Sequence, residues 1–202
     1  MVLRHHSIER LMEQLGHLPG VGPISAERMA YYLLRIEQSE ALALANAIVA
    51  VRESVQTCSK CFQLDAVDPC SICSDPERDQ GIVLVVEDPR EVTRFEDAGY
   101  RGLYHVLQGR VSQVEGIGPD DLTTGALVQR CKSGGVREVC LANNPDLEGE
   151  GTAQLVAERL RPVCDNVTRL ARGMPAGGSI TQLSKSILAD ALQGRRPLPP
   201  PN

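Results

Sequence analysis

Four cysteines lie in the stretch TCSKCFQLDAVDPCSIC, at Cys58, Cys61, Cys70 and Cys73, a C-x2-C-x8-C-x2-C spacing. Each C-x2-C turn can aim two thiolates at one ion, and two such turns close a tetrahedral shell around Zn²⁺. Four thiolates leave no open position for water, so the expected site is structural, with one Zn²⁺ per chain. An iron–sulfur cluster shares this four-cysteine ligation. Two disulfides are the remaining alternative, disfavoured because no export signal opens the chain. The short x8 spacer predicts a compact module. Cys131, Cys140 and Cys164 sit singly in apolar contexts, as reduced core cysteines do.

Carboxylates form the second chemically capable set. Two apolar runs end in acids: IVLVVE at Glu87, and VCLANNPD at Asp146, followed by Glu148 and Glu150. In a parallel sheet the carboxyl ends of strands gather on one edge, where sites are built. The arrangement resembles a Toprim domain, in which a Glu after one strand and an Asp-x-Asp after a later one hold Mg²⁺ for phosphoryl transfer. The topoisomerase form of the second motif runs Asp-x-Asp-Arg-Glu-Gly-Glu; here it reads Asn144-Pro145-Asp146-Leu147-Glu148-Gly149-Glu150. Asn144 removes one anionic ligand and Leu147 removes a cation. The reading is therefore a degenerate Toprim centre (Glu87, Asp146, Glu148) with no catalytic residues, and whether it takes Mg²⁺ stays open. A Mg²⁺-dependent nuclease or topoisomerase using those three carboxylates is the alternative. Glu148 and Glu150 also suit a plain helix start, where the dipole favours acids. No nucleophile is evident, and Tyr100 and Tyr104 read as packing residues.

The third feature is HLPGVGPISAERMAYYLL. Gly20 and Gly22 permit backbone conformations and close approaches that a side chain would block. The N–H groups of such a turn, feeding a helix N-terminus, form a nest for a phosphate, and a basic residue in the following helix usually completes the contact. This resembles a helix-hairpin-helix, which holds phosphates without reading bases. An ordinary helical packing unit with a Gly-Pro turn, carrying no DNA, is the competing reading. His5, His6 and His17 read as a solvated face.

Elements must position these groups. Ile8, Leu11, Met12 and Leu15 recur at helical spacing, as do Met29, Leu33 and Ile36, and an Ala/Leu-rich helix covers about 40–54. GIVLVVE (81–87) is a continuous apolar run, as a buried parallel strand requires. From there the pattern alternates: EVTRFEDAG helical, GLYHVLQG a strand, PDDLTTGALVQRCKSG a helix, REVCLAN a strand, EGTAQLVAERLRP a helix, and NVTRLARG a strand. The fold class is α/β: a small helical hairpin module, a four-cysteine finger, and a mostly parallel, Rossmann-like Toprim sheet covered on both faces, with a C-terminal helix and tail. The expected domains are 1–54, 55–78, 79–173 and 174–202. A helix over 184–193 precedes the tail RRPLPPPN, expected to be extended or disordered.

At 202 residues the chain can bury a real core, and its net charge of −5 argues against coating nucleic acid by bulk electrostatics. Charge is uneven: residues 79–150 carry −6, and residues 151–202 carry +4. Contact with DNA should therefore be local. The opening MVLRHHSIERLMEQL has charges throughout and no apolar h-region, so the chain is expected in the cytoplasm.

Taken in order, the hairpin, the four cysteines, the degraded Toprim motif, RLARGMPAGG and the C-terminal GRRPL resemble the RecR family of bacterial recombination mediators over about residues 7–198. The resemblance implies a non-enzymatic DNA-repair factor associated with the nucleoid, assembling as homodimers and ring-shaped homotetramers that encircle single- or double-stranded DNA. It implies action with RecO, and in many bacteria RecF, to help RecA replace single-strand-binding protein at gaps. It implies DNA contact through Gly20, Gly22 and Arg28, and RecO contact through Glu148 and Glu150. Two positions depart from the family pattern. Ile24 stands where Lys is usual, so DNA binding should be weaker or compensated by Arg28, Arg4 and Arg10. Asp146 stands where an uncharged residue is usual. RLARGMPAGG is Walker-B-like in the family, but no Walker A loop is present, so Arg169 and Arg172 are expected to serve ring or partner contacts rather than ATP.

Overall fold

The computed structural model describes residues 5–195 and 197. Arg4 and most of the RRPLPPPN tail lie outside the described residues. The chain divides after Val55 into two compact units, and no helix among the described residues is long and apolar enough to cross a membrane.

The first unit is three helices. Helix α1 (His6–Gly16) and α2 (Pro23–Leu33) form the hairpin, and α3 (Gln38–Ser54) follows. His5 caps α1, its Nδ1 accepting from the Ser7 N–H at 3.3 Å. Pro23 begins α2, where its fixed φ suits the first turn and its missing N–H costs nothing. Ala26 and Ala30 are the fully buried residues of α2, and their small side chains let α1 and α2 approach closely. None of α3 is fully buried: Leu42, Leu44, Ile48, Val49 and Val51 all face outward.

The second unit carries the finger and the sheet. A two-stranded ribbon, β1 (Gln56–Thr57) and β2 (Leu64–Asp65), and a single helical turn, α4 (Ser71–Ser74), make the finger. Then come β3 (Asp79–Val86), α5 (Pro89–Asp97), β4 (Gly102–Val106), α6 (Thr124–Lys132), β5 (Glu138–Leu141), α7 (Leu147–Leu160) and β6 (Val167–Arg169). The strands are all parallel in the order β4-β3-β5-β6. A single turn of 3-10 helix (Ile180–Gln182) and α8 (Lys185–Gln193) close the described chain.

The alternation inside β3 shows why the sheet is covered on both faces. Val83 and Val85 pack with Leu103, Leu127, Val139, Val156 and Leu160 under α6 and α7. Leu84 and Val86 pack on the other face with Val92 of α5, Tyr104 and Val106. Tyr104 is fully buried and stacks edge-on against Tyr100, ring centroids 5.1 Å apart, the packing role expected of the pair. Cys131 and Cys164 are buried in the first cluster and Cys140 is partly buried beside the second; all three are free.

Two elements are shorter than the sequence pattern suggests. Helix α6 starts at Thr124 rather than near Pro119, because the preceding side chains are spent elsewhere. Asp121 Oδ2 accepts from the Gly118 N–H at 2.7 Å, and Thr123 Oγ1 donates to the Val106 carbonyl at 2.7 Å. Such local bonds compete with helix formation. The last strand is three residues long, and the Leu170 N–H makes the final bond to β5, at the Leu141 carbonyl, 3.2 Å away.

One polar cluster is buried against this frame. Arg78, 8% exposed, donates to Glu96 with both terminal nitrogens and to the Gly102 carbonyl at 3.1 Å. The Tyr104 hydroxyl donates to Glu96 Oε1 at 2.6 Å. The Arg78 hydrogen bonds hold the Glu96 carboxyl below the usual carboxylate range. A carboxylate with a depressed folded pKa stabilises fully above its unfolded value of about 4.3, and that contribution is lost as pH falls through the lower folded value. Glu96→Gln should therefore cost about 2–4 kcal/mol at pH 7, by leaving a buried guanidinium half-paired. The deficit should shrink below pH 4 in urea melts. A deficit equal at pH 7 and pH 3 would show that the charge is not what matters.

Candidate functional site

The cysteine knuckles are built by backbone bonds. The Cys58 N–H donates to the Gln63 carbonyl at 2.8 Å, and the Phe62 N–H to the Cys58 carbonyl at 2.9 Å. Two aspartates tie the loops: Asp68 Oδ1 accepts from the Ser59 N–H at 2.7 Å, and Asp65 Oδ2 from the Ser71 N–H at 2.8 Å and hydroxyl at 2.7 Å. All four cysteines are buried, and their sulfurs lie within 4.8 Å of one another. Cys58 Sγ accepts from the Lys60 and Cys70 N–H groups at 3.4 and 3.3 Å, and Cys70 Sγ from the Cys73 N–H at 3.4 Å. Hydrogen bonding to Cys70 and Cys73 pushes the Cys61 thiol up, while the bond from Cys61 pulls Cys70 down. N–H groups aimed at sulfur favour thiolates, the form that ligates. These four residues can hold one metal ion.

The finger is attached to the sheet. The Val106 N–H of β4 donates to the Cys61 carbonyl at 2.8 Å, and Gln108 Nε2 to the Phe62 carbonyl at 2.5 Å. Phe62 meets the fully buried His105 ring edge-on at 5.3 Å. Burial drives the His105 pKa down to about 4, so it is a neutral core residue.

In the hairpin, Gly20 has φ +80°, a left-handed conformation that L side chains adopt with strain. Gly22 differs from expectation: its φ is −81° and a Cβ there would meet nothing within 4 Å. The chain itself does not require glycine at 22. Among the described residues, the N–H groups of Gly20, Gly22, Ile24 and Ser25 have no acceptor within the chain. Arg28 is exposed one turn further along α2, with Ser25, Met29 and Tyr32 around it, and Ile24 is 77% exposed.

The strand-end acids are brought to one edge, as expected for a parallel sheet, but they do not converge on a common point. Among the described residues, the four cysteines alone form a group of His, Cys, Asp or Glu ligand atoms close enough for a metal. Glu87, 5% exposed after β3, accepts from the Asn143 and Asn144 side-chain amides at 3.1 and 2.7 Å and from the Asn144 N–H at 3.0 Å. Asp146 caps α7, its Oδ1 accepting from the Gly149 N–H at 2.8 Å. That bond, then Arg110, holds its carboxyl below the usual range. Arg110 spans Asp146 Oδ2 at 2.6 Å and Glu148 Oε2 at 3.0 Å. Glu150 pairs with Arg169 at 2.8 Å and with Arg172. Arg169 and Arg172, expected to face partners, are thus engaged inside the chain. Leu147 is 90% exposed.

Sequence reasoning missed Arg110, Asn143 and Glu91. Arg110 had one signal: LQGR follows β4, so it falls on the same sheet edge as Glu87. Glu91 closes a capping box with Asp88 and also accepts from Asn144 Nδ2 at 3.1 Å, a partnership no local spacing announces.

Comparison with known proteins agrees with this layout. Residues 8–52 match the RecR helix-hairpin-helix model, and residues 81–171 match the Toprim domain model. The recombination proteins RecR of Rubrobacter xylanophilus and Rhodopirellula baltica are each 45% identical over 193 residues, 95% of this chain and 97% of theirs. That of Chloroflexus aurantiacus is 47% identical over 192 residues, 95% of this chain and 94% of its own. Similarity of this depth over nearly the whole length shows that the chain belongs to the RecR family of recombination proteins.

Proposed function

We propose that the chain is a non-enzymatic factor of recombinational repair that clasps DNA as an oligomeric ring. It acts with RecO, and with RecF where present, to help RecA replace single-strand-binding protein at gaps. The observation that carries this reading is the hairpin turn. Gly20 bends the backbone at the turn, and four N–H groups without intrachain acceptors, Gly20 and Gly22 before α2 and Ile24 and Ser25 in its first turn, lie together in sequence with Arg28 exposed one turn on. Such a turn takes a phosphate without reading a base. Gly22 fits the same reading, because its missing side chain leaves open space rather than relieving an internal clash. Ile24 offers no cation, so Arg28 carries the charge here.

Assembly as a homodimer and homotetramer is supported by the exposed Leu44, Ile48 and Val51 of α3, which recur at i, i+4 and i+7 and so form one apolar face suited to a second copy. Glu148 and Glu150 remain the proposed RecO-facing residues. Their charges are already shared with Arg110, Arg169 and Arg172, so a partner there would meet a mixed ionic rim. The domains proposed are the hairpin region 1–54, finger 55–78, Toprim domain 79–173 and C-terminal segment 174–202.

Zinc is the ion proposed for Cys58, Cys61, Cys70 and Cys73. A tetrahedral shell with Zn–S bonds of about 2.3 Å fits sulfurs this close together. A multi-iron cluster must also insert its own sulfides between the thiolates, and contacts such as the 3.5 Å between Cys61 and Cys70 sulfurs leave little space for them.

Sizing runs and DNA binding measured across one protein-concentration series test the ring: affinity should appear together with the tetramer. Full DNA affinity in a monomeric fraction would sink it. Arg28→Glu should weaken binding to all sequences alike and reduce the slope of log K against log salt by about 0.7–0.9. Cys70→Ser should lose bound zinc by metal analysis and melt at a lower temperature, since the finger is bonded to β4 through Cys61. Unchanged zinc content would remove the assignment.

A further inference from the structure

The Toprim fold implies a divalent cation between the strand ends, and here the side chains that would ligate it have other partners. Glu87 Oε1 accepts from Asn143 Nδ2 at 3.1 Å and from the Asn144 N–H at 3.0 Å, and Oε2 accepts from Asn144 Nδ2 at 2.7 Å. The same Nδ2 reaches Glu91 Oε1 at 3.1 Å. Mg²⁺ needs oxygen lone pairs in a near-ideal octahedron at about 2.1 Å. An amide nitrogen donates hydrogens and cannot ligate, and it occupies the lone pairs a cation would use. On the far side, the positive charge is supplied by Arg110, held between Asp146 and Glu148 at 2.6 and 3.0 Å.

Packing keeps these groups in place. A Cβ built on Gly149 would lie 2.1 Å from the Asn144 carbonyl oxygen and 3.0 Å from Glu87 Oε1. The first turn of α7 therefore presses directly on the loop that carries the amides. Asp146 is fastened to that turn as its cap. The residues present do not fit Mg²⁺.

We infer that the chain carries its own substitute for the divalent cation: the Asn143 and Asn144 amides hold Glu87, and the Arg110 guanidinium holds Asp146 and Glu148. The strand-end carboxylates then serve as a cation-independent brace joining the ends of β3 and β4 to the β5–α7 loop. The two asparagines and Arg110 are positioning residues in this brace. Asn144 decides the difference, because exchanging its amide NH₂ for oxygen would place a second carboxylate against Glu87. The inference rests on reading residues 79–173 as a Toprim-derived domain and is independent of DNA binding.

The test titrates Mn²⁺, a spectroscopically visible stand-in for Mg²⁺, into zinc-loaded protein. Free Mn²⁺ is followed by electron paramagnetic resonance, with melting temperature alongside. Wild type should show no saturable binding and no Mn²⁺-dependent shift up to millimolar ion. Asn144→Asp combined with Arg110→Ala should gain saturable binding and a melting temperature that rises with Mn²⁺. The exchanged pair, Glu87→Gln with Asn144→Asp, should recover much of the melting temperature lost in each single variant, which a metal site would not do.

Saturable Mn²⁺ binding in wild type that vanishes in Glu87→Gln would overturn the inference. So would a cooperatively melting Asn144→Asp/Arg110→Ala protein that takes no ion, or an exchanged pair no more stable than its worse single variant. If the double variant does not fold, the wild-type titration and the exchanged pair still decide. Mn²⁺ binding without plasmid nicking would remove this inference alone; Glu87-dependent nicking would remove the non-enzymatic function as well.

Discussion

A carboxylate at the end of a buried parallel strand must be met by positive charge or by hydrogen-bond donors, because removing it from water unpaired costs several kcal/mol. Glu87 is that carboxylate. Its need for partners organises the carboxyl edge of the sheet: the Asn143–Asn144 loop folds onto it, Glu91 shares the Asn144 amide, and α7 starts where Asp146 can cap it. The geometry that lets an active Toprim domain collect a metal is the geometry that here collects amides. At position 144 an amide stands between the Glu87 and Glu91 carboxylates and donates to both.

The cysteine cluster solves a different problem with the same economy of partners. Residues 56–74 contain too few apolar side chains to bury a core of their own, and the four buried cysteines can hold one ion that would crosslink the loops. The attachment through the Cys61 carbonyl and the Val106 N–H makes the finger a cover for the sheet face around Tyr104 and Val106. Phe62 and Ile72 complete that face from the finger side. Order in the finger and order on this sheet face are therefore linked.

In the helical unit the balance is reversed. Its fully buried side chains, Ala26 and Ala30, are small, and much of its apolar surface faces outward. A unit built this way spends its sequence on surfaces: unpaired N–H groups at the turn and an apolar face along α3.

Much of this was legible without coordinates. Two C-x2-C turns announce a common ligand point because each turn can aim two thiolates at one ion. Four apolar strand signals alternating with helices specify a parallel sheet, since each crossover must cover a face. Asn144 for Asp is visible as a lost charge. What the sequence could not decide was where each remaining charge goes. Arg110, 36 residues from Asp146, and Asn144, 57 residues from Glu87, meet their partners only because β3, β4 and β5 end on one edge. Gly22 illustrates the same limit: its residue type suggested an unusual backbone, and the fold places it in an ordinary one. Local sequence determines which groups are present and which elements carry them. Pairing across the sheet edge is a long-range consequence of strand order, and it decided that Glu87 meets asparagine amides while Asp146, Glu148 and Glu150 meet arginines.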